Sequence, residues 1–150
     1  MKIPIKREWK NIKIRCPDDI GEIFIQIISE LDEFEKDKEH VWTVGIKSSG
    51  KVAYIEMNFI GSLNNCQYHP REIFRKAIHV AANSIFVAHN HPSNDLTPSR
   101  EDYVMLEKLT DAGKIIGIPV LDSLIFKSEG NEFYSTVSNE RFIYRGGSND

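Results

Sequence analysis

Two imidazoles, a carboxylate and a hydroxyl in one short stretch set the chemistry open to this chain. His89 and His91 stand one residue apart, Pro92 follows, and Ser99 and Asp102 come next, giving H-x-H-P, six residues, S-x-x-D. A His, His, Asp set leaves one position of a tetrahedral zinc ion for water, the layout of a catalytic rather than a structural site. The chemistry is then metal-assisted hydrolysis with Zn2+ as cofactor. Side chains two apart on a strand point the same way, so His89 and His91 reach one ion if Asn90 is extended. Asp102 must come from a separate element, because one strand cannot surround a tetrahedral ion. Ser99 lies three residues earlier on the same face of a helical first turn, where its hydroxyl can donate to an oxyanion.

Several elements must hold these groups in place. Ser84-Ile85-Phe86-Val87-Ala88 is a short apolar run, as expected of a central strand covered on both sides, and Pro92 stops it. Thr97-Pro98 predicts a helix entry, cap then proline. Ser99, Asp102, Leu106 and Leu109 share one face of that helix, and Gly113 is expected to end it. Upstream, Pro17-Asp18-Asp19 opens a helix with acids at its positive end. Its apolar face, Ile20, Ile23, Phe24, Ile27, Leu31 and Phe34, runs on toward Lys36 and Lys38. His40 to Lys47 and Val52 to Phe59 flank a Ser48-Ser49-Gly50-Lys51 turn and predict a β-hairpin.

Gly61 to Tyr68 reads as a polar loop, and Pro70 starts a helix that buries Ile73, Phe74, Ala77, Ile78 and Ala81. Ile115 to Phe126 and Glu132 to Val137 predict strands around a Ser128-Glu129-Gly130-Asn131 turn. The first stretch, to about Arg15, is an edge strand or an arm, and the last five residues are expected to be disordered. The pattern is α/β, a mixed β-sheet flanked by helices.

Bulk properties narrow the function classes. A chain of 150 residues fits one domain with one sizeable core. Its 41% hydrophobic and 27% charged content is that of a soluble globular protein. A net charge of -3 is not the footprint of a protein held on nucleic acid by charge, so no strong nucleic-acid binding is expected. Lys2, Lys6, Arg7 and Lys10 allow at most salt-sensitive phosphate contacts. No apolar run approaches the roughly 20 residues of a membrane span. The N-terminus has no secretory stretch, so a cytoplasmic protein is expected. Cys16 and Cys66 form no CxxC pair and read as reduced, buried small residues. His40, His69 and His79 read as surface or core groups rather than ligands. A zinc deaminase is excluded, because the P-C-x-x-C element is missing.

The spacing of His89, His91, Ser99 and Asp102 resembles the H-x-H, seven residues, S-x-x-D signature of the JAB/JAMM (MPN+) metalloproteases. The longer string HNHPSNDLTPSRED is similar to the RadC branch of that family, where HNHPSGDPTPSRED is typical. Gln67-Tyr68-His69-Pro70-Arg71-Glu72-Ile73 resembles the Y-P-R-E segment of the same branch. Ala112-Gly113, Leu121-Asp122 and Leu124-Ile125 fall where relatives have similar residues, and the likeness runs from about Glu39 to Val137.

The resemblance implies the JAB/MPN (cytidine-deaminase-like) architecture, with zinc between a strand end and a helix. It also implies a JAMM-type zinc metalloprotease acting on a protein or peptide substrate. The domain would then be 39–137, with 1–38 as an arm and amphipathic helix packed on it and 138–150 as a tail. The resemblance further implies a catalytic glutamate at the start of the strand after the first helix, which is Glu39 here. Glu56, the acid on the paired strand, is the fallback.

Three departures stand out. Asn94 and Leu96 replace the usual Gly and Pro, and Ser123 stands where the branch has His after Asp122. Full-length RadC proteins also carry a helix-hairpin-helix region. The roughly 38 residues before the domain show no such motif, so a DNA role through it is not expected.

The activity that follows is peptide or isopeptide hydrolysis by a zinc-activated water, with Glu39 moving the proton and Ser99 meeting the oxyanion. Two alternatives stay open. One is a nuclease or DNA-repair accessory protein, although a single zinc with one glutamate suits amide cleavage better than phosphodiester cleavage, where two metals are common. The other is a non-catalytic module that merely holds metal, which would have no need of Glu39 and Ser99.

Overall fold

Strand β3 (Ser84–His91) is closed to solvent along almost its whole length, and its two faces decide the architecture. Successive side chains alternate between the faces. Phe86 and Ala88 pack on one side against the apolar stripe of helix α1 (Pro17–Ser29), where Ile20, Ile23, Phe24 and Ile27 are buried. Ile85 and Val87 pack on the other side, under helices α3 (Pro70–His79) and α4 (Arg100–Ile116), against Ile73, Phe74, Ala77 and Leu109. The computed structural model describes residues 9, 12–61 and 69–146.

The sheet has six strands in the order β2-β1-β3-β4-β5-β6, with β1 Glu39–Ile46, β2 Val52–Gly61, β4 Val120–Lys127, β5 Glu132–Ser135 and β6 Glu140–Ile143. Only β3 and β4 run parallel. Every other neighbouring pair is antiparallel, so the sheet is mixed, as its strand patterns predict. Helix α4 is the crossover that a parallel pair requires, and its N-terminus lies beside the end of β3.

Several boundaries differ from the sequence reading. The first helix does not run on to Lys38. It stops at Ser29, and a short helix α2 (Glu33–Lys36) restarts because Asp32 accepts the Glu35 N–H at 2.7 Å as its cap. Phe34 is therefore 71% exposed instead of buried. Ile78 in α3 is exposed, and so is Ala81, which lies beyond the end of the helix. Gly113 does not end α4. It sits inside the helix, where a Cβ would lie 2.6 Å from the Ile118 carbonyl oxygen, and the left-handed Gly117 (φ 84°) ends the helix. Ile115 and Ile116 belong to α4 and not to the following strand.

The stretch from 138, read as a tail, carries β6, which pairs with β5. Lys13 bridges Lys51 beside the hairpin turn, the Ile14 N–H donates to the Gly50 carbonyl, the Val52 N–H donates to the Ile12 carbonyl, and Trp9 is buried in the core, so the described part of the N-terminal stretch lies against the sheet. Cys16 is exposed at the start of α1 rather than buried. Cys66, Gln67 and Tyr68, the basic residues 2, 6, 7 and 10, most of the loop at 61–68 and the final four residues lie outside the described residues. Among the described residues, no helix is long and apolar enough to cross a membrane.

Candidate metal centre

Strand β3 stays extended through Asn90 to its last residue, His91, so both imidazoles leave the face that α4 covers. The N-cap of α4 is Ser99, not Thr97. A capping box forms there: the Asp102 N–H donates to Ser99 Oγ at 3.1 Å, and the Ser99 N–H donates to Asp102 Oδ2 at 2.8 Å. The S-x-x-D spacing is thus a helix start as well as part of the motif. It holds the Asp102 carboxylate over the end of β3.

Two imidazole nitrogens and the two oxygens of one carboxylate then lie at nearly equal spacings. His89 Nε2 lies 3.2 Å from His91 Nε2 and 3.3 Å from Asp102 Oδ1, and His91 Nε2 lies 3.2 Å from Asp102 Oδ2. A tetrahedral ion with bonds of about 2.0–2.1 Å to nitrogen and oxygen needs donor atoms about 3.3 Å apart. The donor set fits on chemical grounds too. His91 Nδ1 makes a 2.7 Å bond to the Asp95 carbonyl, and an acceptor there requires a proton on Nδ1. A neutral His91 therefore turns a lone pair from Nε2 toward the Asp102 carboxylate. Two acceptors face each other unless a proton or a metal cation lies between them.

Electrostatics point the same way. Burial presses the His91 imidazole down, but bonds to Asp102 and Asp95 and the nearby charges of Asp102 and Glu39 outweigh it and raise its pKa. Burial would push Asp102 up, yet His89, His91 and the Ser99 N–H hold its carboxyl well below the usual carboxylate range. The Asp102 carboxylate is thus held in its charged form against the two imidazoles.

Glu39 opens β1 and is 6% exposed. Val41 pairs with His89, which brings Glu39, two residues earlier on the same face, level with His91. Glu39, His89, His91 and Asp102 each offer a ligand atom, and those atoms all lie within 4.8 Å of one another. Glu56 is not part of this group. It pairs opposite Thr43, further along the hairpin, and accepts the Asn58 amide at 2.8 Å. Ser99 is exposed at the rim.

His40 is fully buried, with Nε2 2.8 Å from the Glu35 carbonyl, while His69 and His79 are exposed. Asn94 adopts φ 62°, a left-handed conformation in which Gly is easiest and Asn is the next best tolerated. It can thus stand where the resemblance expects Gly. Leu96 is buried, and Ser123 is buried on β4 beside Val87.

Asn90 and Ser128 are not among the residues that the sequence pattern singles out. Asn90 looked like a spacer between two ligands, and Ser128 like a turn residue. The available signal was an amide side chain on the covered face of an otherwise apolar strand.

A family model described as the RadC-like JAB domain matches residues 14–141. A UPF0758 protein of Desulforamulus reducens is 42% identical over 128 residues, 85% of this chain and 53% of its own length. Another, from Caldanaerobacter subterraneus, is 39% identical over 124 residues, covering 83% and 51% of the two chains. A third, from Geobacillus kaustophilus, is 42% identical over 130 residues, covering 87% and 54%. The chain spans about half the length of the curated relatives it matches.

Proposed function

Because this chain belongs to the RadC-like JAB domain family, we propose that it is a zinc metallohydrolase that cleaves peptide or isopeptide bonds. The observation that carries this reading is the cluster of His89, His91 and Asp102 with a second carboxylate, the buried Glu39, beside it. Zinc held by His89, His91 and Asp102 would act as a Lewis acid, polarising an amide carbonyl and easing the ionisation of water.

Glu39 is the proton carrier. It takes a proton from the attacking water and delivers it to the departing amine. Its place at the start of a strand, on a rigid element, supports that role. Ser99 Oγ already accepts the Asp102 N–H, so its own O–H is the group with which it donates to the developing oxyanion. Asp95, through its carbonyl, orients His91 so that Nε2 is the coordinating nitrogen. A protein or peptide substrate is favoured by the sheet edge: β2 is an outer strand, and its last residue, Gly61, pairs with Glu39. An edge strand beside the reactive groups is a template for an extended peptide.

The test is zinc content together with amide cleavage by wild type and Glu39→Gln. The near-isosteric variant should keep zinc and thermal stability and lose about 10²–10⁴-fold in turnover. Equal turnover in the two proteins would remove Glu39 from the reaction.

A further inference from the structure

Asn90 sits between the two histidines but points to the opposite face of β3, and it is wholly buried. A carboxamide in such a place is costly unless its bonds are made. Its Oδ1 accepts the His40 N–H at 2.7 Å, and its Nδ2 donates to the Lys38 carbonyl and to Ser128 Oγ, each at 3.0 Å. Ser128 in turn donates to the Lys36 carbonyl at 2.8 Å, and its own N–H bonds Asn94 Oδ1 at 2.9 Å.

The first two contacts have a specific geometric meaning. The Lys38 carbonyl belongs to the peptide unit before the Glu39 Cα, and the His40 N–H to the unit after it. Each peptide unit is planar, so the backbone of a residue is set by the orientation of its two flanking planes. One side chain that grips both planes restrains φ and ψ of Glu39 and with them the direction in which its side chain leaves β1.

We infer that Asn90 is a positioning residue for Glu39, aiming that carboxylate at the metal centre from the back of the strand that carries both histidines. Ser128 orients the Asn90 amide and ties it to the Lys36 carbonyl. The inference rests on the reading of Glu39 as the proton carrier. A residue needed only for the sheet would be apolar here, as Phe86 and Ala88 are on the same face.

The experiment compares wild type, Asn90→Ala and Ser128→Ala, each with and without Zn²⁺, by three measurements besides activity. These are zinc affinity by chelator competition, exchange of the His40 amide, and the change in the Glu39 ¹³Cδ chemical shift on zinc loading. Asn90→Ala should keep zinc affinity within about threefold, because the ligand set is untouched. Its His40 amide should exchange more than about tenfold faster, having lost its buried acceptor. The zinc-induced shift at Glu39 should collapse. On a cleavable peptide, kcat should fall about 100-fold with KM held within about threefold.

Ser128→Ala should move every reading in the same direction by less, and it decides the matter if Asn90→Ala does not fold. A wild-type zinc-induced shift at Glu39 in the folded variants would overturn the inference. So would a loss of zinc affinity as large as the loss of turnover, since Asn90 would then only brace the histidine strand. If wild type cleaves no peptide, the hydrolase reading falls by itself, and the Glu39 shift and His40 exchange still decide the role of Asn90.

Discussion

Two aspartates in this molecule, the buried Asp122 and the half-buried Asp102, have opposite surroundings. Asp122, on β4, is ringed by donors: Oδ1 accepts the Ser123 N–H at 2.7 Å and the Val137 N–H at 3.1 Å, and Oδ2 accepts the Ser135 hydroxyl at 2.5 Å. Burial still pushes its carboxyl above the usual range. Asp102 faces two imidazole nitrogens, and its carboxyl is held below that range. A carboxylate enclosed by donors is a finished structural part that closes the turn after β5. A carboxylate set against other acceptors asks for a cation, and that difference separates a binding centre from a polar patch in the core.

The contrast can be broken most directly at the ligands. His91→Ala should lose bound zinc while keeping most of the fold, and Asp102→Asn should lose affinity well beyond the roughly 10–100-fold that removing an outer partner costs. Asp122→Asn should keep wild-type zinc content. Elemental analysis of the three proteins checks all of this, and undiminished zinc in His91→Ala would mean that the ligand set is wrong.

Ser99→Ala is a smaller perturbation with two separable parts. Loss of the cap should cost about 1 kcal/mol, or roughly 2–4 °C in Tm for a chain of this size. Loss of the oxyanion donor should cost about 10²–10³-fold in turnover. A Tm change without a kinetic one would leave Ser99 a cap and nothing more.

The smallest effect sharpens the other side of the comparison. Because the folded pKa of Asp122 is raised, its protonated form favours folding, and that contribution is lost as pH rises through the folded pKa. Asp122→Asn keeps an acceptor for both backbone N–H groups and carries no charge. Its Tm relative to wild type should rise between the ordinary carboxylate range and the raised value, then level off toward neutral pH. A difference that stays flat across that interval would show that the Asp122 carboxyl is not perturbed by its burial.

Much of this was legible in the residues. Alternation and the apolar run placed β3 and its histidines, and the hairpin and the helix at Pro70 were carried by turn chemistry and periodicity. The errors share a cause, which is local chemistry overriding period. Asp32 as a cap broke a helix whose apolar spacing ran on, and Ser99 took the cap that Thr97-Pro98 advertised. Gly113 was read as a stop because glycine usually is one, whereas here it makes room for the backbone after the helix. Glu39 could be selected only by resemblance, since a lone acid in an acidic run has no period. Asn90 and Ser128 depend on pairings fifty and more positions away in the chain, which no local pattern encodes.

The short loop between β3 and α4 also bears on the order of folding. His89, His91 and Asp102 lie within 13 positions (102 − 89), whereas Glu39 is 50 positions before His89 (89 − 39). Closing the longer loop costs about 1 kcal/mol more in chain entropy, and the antiparallel pairing of β1 with β3 must form before the glutamate arrives. A refolding chain is therefore expected to gather His89, His91 and Asp102 from local contacts first and to bring in Glu39 later. Pulse-labelled exchange should find the α4 amides protected before that of His40, and the reverse order would refute the sequence of events. On the proposed hydrolase reading, a partly folded chain would hold metal before it could cleave a peptide.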